Sequence, residues 1–298
     1  MFTGASSLRK LFAGIIDALY TFYLFSGVDL FGALTVCVAA ALSAVQPTSA
    51  MSVVRATIWV DLHLLSFEIM NQITGIDEDM RMKPYRPIPS GRISIRTARL
   101  LYAGLVAAAL FESARIGILW LSVGYVAMIT AYNELGWARN WVYKASGNAY
   151  AYACYSYGAI VCLNYDHSLS TRALTAPVFL SLNTLITGFV QDFRDVAGDA
   201  AIGRVTVPML LPQTFARCLH TAIIIGYSTF LCWYWAPPSI AIASVYGLAG
   251  TVMASLLTNY SVKADFRSYK LYNVWLFSCG VLPLFDRLRD AQAYTLRD

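Results

Sequence analysis

The sequence predicts an all-α fold: a polytopic membrane helix bundle of about nine transmembrane helices. Three observations predict it. Hydrophobic residues make up 58% of the 298-residue chain and charged residues only 13%, against about 25% charged in an ordinary soluble domain. The mean hydropathy is +0.55. Apolar stretches of about 18 residues or more, the length a spanning helix needs, recur along the chain. The short alternating segments of a β-barrel are absent. A chain so poor in charge cannot cover itself for water, which argues against a soluble all-α protein with a large core.

The elements follow in order. The N-terminal stretch MFTGASSLRKLFAGIIDALYTFYLF has a weak look of a signal peptide, but Asp17 interrupts it and no clean small-residue cleavage site follows. It is expected to be an interfacial or half-buried helix. Nine apolar spans come next, at 29–47, 54–76, 95–112, 116–135, 146–164, 173–193, 214–235, 239–258 and 270–286. Links such as QPTSA, NYDHSLSTRA and APPSI separate them, and none is long enough to announce a second domain, so residues 1–298 read as one transmembrane domain.

Basic residues test this count, because Lys and Arg gather in cytoplasmic loops. Links after even-numbered spans carry Arg81, Lys83, Arg86 and Arg92; Arg139 and Lys144; Arg194 and Arg204; and Lys263, Arg267 and Lys270. Alternate links carry only Arg55, Arg115 and Arg172. Arg9 and Lys10 then put the N-terminus on the cytoplasmic side; the tail, with Arg287, Arg289 and Arg297, falls on the other. A net charge of +5 spread over membrane loops does not imply nucleic acid. Six scattered cysteines form no CxxC pair and read as packing residues. His63, His167 and His220 show no metal-ligand spacing and read as structural or interfacial.

Two acidic clusters stand out. The second span runs out as SFEIMNQITGIDED and the sixth as LITGFVQDFRDVAGD, so both emerge on the basic side. Asn71, Gly75 and Asp79 are spaced i, i+4, i+8 and drift about 40° per step around a helix. Asp192, Asp195 and Asp199, at i, i+3 and i+7, share a face. Carboxylates at membrane helix ends must be solvated, paired or bound to cations. Two facing stripes form an oxygen-rich site that suits Mg²⁺, which takes a few carboxylates, waters and phosphate oxygens. A phosphorylated ligand also accounts for Lys83, Arg86 and Arg204 nearby, which are suited to phosphate oxygens. The plainer alternative is that these acids and bases simply pair with one another as surface loops.

At these residues the chain resembles the UbiA superfamily of intramembrane prenyltransferases and related terpene cyclases. That family carries an NDxxDxxxD motif followed by a KPxRPIPSG-type loop, then a DxxxD motif followed by GDxxxGxxTLP. Here the first runs from Asn71 to Asp79, then Lys83-Pro84-Tyr85-Arg86-Pro87-Ile88-Pro89-Ser90-Gly91; the second runs from Asp192 to Asp199, then Gly203-Arg204-Val205-Thr206-Val207-Pro208. Tyr132 and Ser146-Gly147-Asn148 fit the family's middle region. The resemblance implies nine helices around a central cavity in which Mg²⁺ holds the diphosphate of an isoprenoid. It implies catalytic roles for Asn71, Asp79, Asp192, Asp195 and Asp199. Lys83, Arg86, Arg204 and Tyr132 would hold the diphosphate, and Asn71, Asp77, Asp79, Asp195 and Asp199 the metal.

The chain departs from the pattern where Gln72 and Gly75 replace the first motif's aspartates. Asp77 lies about 240° from Asn71 around a helix and can substitute only if the helix is broken there; Glu78 is another candidate. The altered motif is similar in style to fungal membrane-bound terpene cyclases of this superfamily, and that style, with a short chain lacking a transit-like extension, favours a cyclase acting on farnesyl or geranylgeranyl diphosphate. Prenyl transfer to an aromatic or other acceptor and non-catalytic isoprenoid carriage are the alternatives. The lipid bilayer and an isoprenyl diphosphate are the implied partners, and the endoplasmic reticulum the implied location. Tyr150, Tyr152, Tyr155 and Tyr157 can steady a cation if they face the cavity, although aromatic belts account for most such residues.

Overall fold

A computed structural model describes residues 3–27, 29–164 and 169–295. His167 and Arg297 lie outside them. Helices account for the chain: α1 (Thr3–Ser26), α2 (Val36–Ala44, entered through a π-turn at Leu30–Thr35), α3 (Ala50–Thr74), α4 (Ile76–Met82), α5 (Ile95–Arg115), α6 (Leu119–Asn133), α7 (Trp141–Leu163), α8 (Thr171–Thr187), α9 (Asp192–Ala201), α10 (Val207–Leu210), α11 (Gln213–Trp235), α12 (Ser239–Thr258), α13 (Val262–Gly280) and α14 (Pro283–Thr295). Links supply the caps that start them. Ser49, Ser94, Asn140, Ser170 and Ser261 each accept a hydrogen bond from the first turn of the helix they precede, which satisfies an otherwise orphaned N–H.

Each of the nine expected apolar segments is helical, but a count of about nine spans is not confirmed. Among the described residues, five helices are long and apolar enough to cross a membrane: α3, α5, Thr171–Ala201, α11 and α12. A sixth forms if Phe12–Ser26 and Leu30–Ala44, bent by 78°, make one span. The shortfall has a physical origin. α6 has only 15 residues, against the roughly 20 a bilayer needs. α7 and α13 are longer but carry polar side chains, among them Lys144, Asn148 and Asp265. The last expected segment, 270–286, also crosses the break between α13 and α14. The N-terminal helix is largely exposed from Phe12 to Tyr23; an ion pair from Arg92 to Asp17 ties it to the loop before α5.

The core is built on close helix approach. A methyl group at Gly158 of α7 would overlap the Trp59 ring of α3, and the indole N–H of Trp59 donates to Ser113 of α5 at 2.8 Å. His63 bonds the Trp59 carbonyl and Ser122, each at 2.7 Å. Five of the six cysteines are buried and all are unpaired. Arg217 of α11, 1% exposed, donates to both carboxylate oxygens of Asp265 on α13 at 2.6 and 2.8 Å and to the Leu256 carbonyl at 3.0 Å. It lies over the rings of Phe193 and Tyr260, 4.5 and 4.2 Å from their centroids. One guanidinium thus joins α9, α11 and α13. Asp265→Asn leaves that cation buried without its counter-charge. The expected loss is about 3–5 kcal/mol, measured as a lower unfolding midpoint in detergent.

Candidate active site

Both acidic motifs sit where a helix is interrupted and restarted. In the first, Gly75 separates α3 from α4, while backbone bonds Gly75 N to Asn71 O and Asp79 N to Gly75 O, both 2.9 Å, keep the chain coiled. The break turns Asp79 inward, 3% exposed. In the second, a 3₁₀ turn at Gly188–Gln191 joins α8 to α9. It leaves the Thr187 carbonyl to another partner, and His220 Nε2 of α11 meets that oxygen at 2.8 Å. His220 is therefore structural.

The two motifs converge. Gly198 of α9 is within side-chain contact of Met82 and Glu78 of α4. Beyond α9 the chain turns at Gly203, whose φ of +70° suits glycine, and brings Arg204 back toward Asp199. Arg204 Nη1 lies 2.8 Å from Asp199, and its Nη2 3.7 Å from Glu78. One side chain spans both clusters.

A polar cavity of about 160 Å³ opens at this junction. Of the residues singled out in the sequence, Asn71, Lys83, Arg86, Tyr132, Asp195 and Arg204 line it. Asp79, Asp192 and Asp199 stand behind its wall, each held by a base. Asp77 is not part of its lining: this side chain is exposed and, with Glu78, lines an adjoining cleft. Asn71, Tyr132 and Arg204 line both that cleft and the polar cavity, so Asp77 and Glu78 stand at the cavity's outer edge. Tyr152 and Tyr155 line the cavity. Tyr150 packs against Gly124, and Tyr157 against the Trp120 ring. Gly147 explains the Ser146–Asn148 motif, because an added carbon there would lie 2.7 Å from the Tyr132 ring. Asn148 joins the lining, and Ser146 faces an adjoining apolar crevice of about 480 Å³.

The acids are matched one to one. Asp79 is held by Arg86 at 2.9 Å, Asp192 by Lys144 at 2.6 Å, Asp195 by Arg194 at 3.3 Å and Asp199 by Arg204 at 2.8 Å. Burial disfavours the Arg86 cation, but Glu68 and Asp79 outweigh it and hold the group above its ordinary range. Arg204 is partly buried, and Asp199 and Glu78 raise it in the same way. The pairing alternative and the shared-site alternative therefore coexist, because the paired groups surround one cavity.

No three Asp, Glu, His or Cys side chains surround a single metal position among the described residues. The donor set is nonetheless oxygen-only, as Mg²⁺ prefers. Asp199 Oδ2 is buried with no hydrogen-bond partner, and Lys144 Nζ is 3.6 Å from it. An unmet carboxylate oxygen among four acids is a fit for a hard divalent cation.

Four charged cavity residues were not singled out as site residues in the sequence: Asp29, Glu68, Lys144 and Arg194. Three carried a signal. Extending the 71, 75, 79 face one turn back reaches Glu68, Lys144 precedes Asn148 by one turn, and Arg194 sits inside the second motif. Asp29 carried none, since only tertiary contact brings the residue before the π-turn to this wall.

Comparison with known proteins fits this geometry. The model for the UbiA prenyltransferase family matches residues 32–277. The chain is 35% identical over 274 residues to a fumagillin β-trans-bergamotene synthase of Aspergillus fumigatus, covering 92% of this chain and 95% of that protein. It is 26% identical over 241 residues to a polyprenyl transferase of Hericium erinaceus, covering 76% and 77%. Among solved structures, a UbiA homologue from Aeropyrum pernix K1 superposes with a TM-score of 0.67 at 18% identity, covering 88% of this chain and 98% of that one. A UbiA homologue from Archaeoglobus fulgidus bound to GPP and Mg²⁺ gives 0.62 at 14%, covering 89% and 99%. At these identities the structures speak for the fold.

Charge matching makes a binding prediction. Arg86→Gln frees Asp79 from its counter-ion. In the absence of diphosphate, Mn²⁺ should then bind about tenfold tighter, as expected for losing one nearby cation, read by electron paramagnetic resonance. Unchanged Mn²⁺ affinity would show that Asp79 takes no part in holding the ion.

Proposed function

Because the chain belongs to the UbiA prenyltransferase family, we propose that it is a membrane-bound, Mg²⁺-dependent terpene cyclase that ionises farnesyl or geranylgeranyl diphosphate. The observation that carries this is the likeness to a terpene synthase along nearly the whole of both chains, combined with two acidic motifs converging on one cavity. A second reading, prenyl transfer to an acceptor, is favoured by the similarity to a polyprenyl transferase.

The chain's own residues divide the work. Lys83, Arg86 and Arg204 grip phosphate oxygens, with the Tyr132 hydroxyl at the same wall. To do so, Arg86 and Arg204 exchange their carboxylate partners for phosphate. Asn71, Asp79, Asp195 and Asp199 would hold Mg²⁺, supported by Asp192, with Asp77 on the adjoining cleft that Asn71 and Arg204 also line. When bound, the metal supplies electrostatic stabilisation of the leaving diphosphate. Lys144 keeps Asp192 and Asp199 in place. Tyr152, Tyr155 and Phe67 turn aromatic surface toward the allylic cation, which such faces stabilise by about 0.5–2 kcal/mol each, and the surrounding helices keep water from it. The polar cavity is small beside the roughly 300–1,000 Å³ of a typical ligand pocket. It suits the diphosphate end, and the adjoining crevices extend it for the hydrocarbon. The charge pattern of the links supports an N-terminus and motif loops on the cytoplasmic side, and we place the protein in the endoplasmic reticulum membrane.

Acceptor-free incubation tests the reading. Membranes containing the protein, given either diphosphate and Mg²⁺, are expected to yield a cyclic hydrocarbon by gas chromatography. Product that forms only when a phenol or quinone precursor is added would establish transfer instead. Asp79→Ala and Asp195→Ala are each expected to lower turnover by at least about a hundredfold with the folded fraction unchanged by size-exclusion chromatography. Removing Mg²⁺ with a chelator should abolish diphosphate release, and adding it back should restore it.

A further inference from the structure

Resting on the cyclase reading, we propose that Glu68 is the base that ends the reaction by taking the last proton from the cyclised cation. Glu68 lies on the face of α3 that also carries Asn71, three residues and about 4.5 Å deeper along the helix. It is 5% exposed and lines the polar cavity beside Leu64, Phe67, Ala151 and Tyr155, the apolar and aromatic part of its wall. A diphosphate held at the level of Asn71 and Arg86 puts the allylic carbons next to that depth.

Its surroundings distinguish Glu68 from the other acids there. Arg86 faces it, but that guanidinium is held by Asp79 at 2.9 Å. Asp195 is engaged by Arg194. Asp29 shares a hydrogen bond with Glu68 and accepts another from Tyr269 at 3.4 Å, so Glu68 and Asp29 form a carboxyl pair on the cavity wall that carries the acceptor oxygen. A carboxylic side chain buried in a membrane bundle is expensive and is kept where it has a task. Glu68 has no metal-motif position and no basic partner committed to it.

The step balances. A C–H bond next to the cationic carbon breaks, and its electron pair becomes the π bond of the new alkene. The proton passes to a Glu68 carboxylate oxygen, and from there to the departing diphosphate. No oxidant or further reactant is needed.

The test uses the full chain in detergent with farnesyl diphosphate and Mg²⁺, without acceptor. Diphosphate release and the hydrocarbon profile are measured together for wild type, Glu68→Gln and Glu68→Asp. Glu68→Gln is expected to release diphosphate within about threefold of wild type while the main hydrocarbon falls by about tenfold or more. Alkenes from proton loss elsewhere and alcohols from water capture should replace it. Glu68→Asp, one methylene shorter, should shift the ratio in the same direction but less, and it decides the matter if the amide variant does not fold. An unchanged product ratio, or diphosphate release falling in step with hydrocarbon, overturns the assignment. The wild-type arm separates the two claims. Absence of acceptor-free release with farnesyl or geranylgeranyl diphosphate defeats the cyclase reading and this assignment with it. Acceptor-free turnover with an unmoved product ratio defeats Glu68 alone.

Discussion

Opposite charges brought together out of water are the constraint on which the rest of this structure depends. Asp79, Asp192 and Asp199 are each at most 4% exposed, in a bundle with little water to solvate them. An unpaired carboxylate at such a depth is strongly unfavourable. Arg86, Lys144 and Arg204 reach them from a loop, from α7 and from the turn after α9. Three separate segments must therefore be in register before any one acid is satisfied, and that requirement defines the cavity. On the proposed reading, the same pairs suit a ligand that is itself both anionic and metal-bound. Diphosphate alone would draw the bases away and leave carboxylates exposed to one another. A metal alone would have to compete with the bases. Together they would replace both sides of each pair, which would couple their binding through charge balance.

Holding those segments in register falls to small residues and to hydrogen bonds at helix interruptions. Gly158 lets α7 meet Trp59 of α3, and Gly147 seats the Tyr132 ring beside the cavity. A 3₁₀ turn joins α8 to α9, and His220 fills the carbonyl position that the turn leaves open. Thr187, which carries that carbonyl, also shares a hydrogen bond with Tyr272 of α13 at 2.8 Å. Buried residues of α8, α11 and α13 thus secure the point where the second motif begins.

How much of this was legible in the sequence follows from the range of the interactions. Local patterns were readable: both acidic stripes, the bases that follow them, the capping serines, and the nine apolar segments that all became helices. Tyr132 and Ser146–Asn148 were visible only as fragments of a resemblance, and their contact through Gly147 was not. Length and hydropathy find five or six of the expected nine spans among the described residues, because α6 is short and because α7 and α13 turn polar side chains inward, so hydropathy alone does not separate a lipid-facing helix from one that walls a cavity. The break at Gly75 keeps the coil nearly intact and leaves Asp77 on the cleft beside the cavity. Asp29 depends on contacts between distant segments, which no spacing encodes.

The loss of two first-motif aspartates then acquires a physical meaning. Gly75 removes a carboxylate from the middle of the Asn71–Asp79 face, and Gln72 turns away from the cavity, fully buried, to donate to the Phe25 carbonyl at 3.2 Å. α3 itself is thereby left with no carboxylate at the level of Asn71, where Asp79 of α4 supplies one, while Glu68 adds a carboxyl one turn deeper. Moving an acid from the diphosphate level toward the hydrocarbon level changes what the helix can do. A carboxylate beside the metal strengthens the grip on the leaving group, whereas one beside the carbon skeleton stabilises positive charge there and can accept a proton from it. A transferase has a second substrate to consume its cation, but a cyclase must dispose of the charge within the cavity. On the proposed cyclase reading, an acid at the depth of Glu68 would meet that need with a residue the bundle already has to bury.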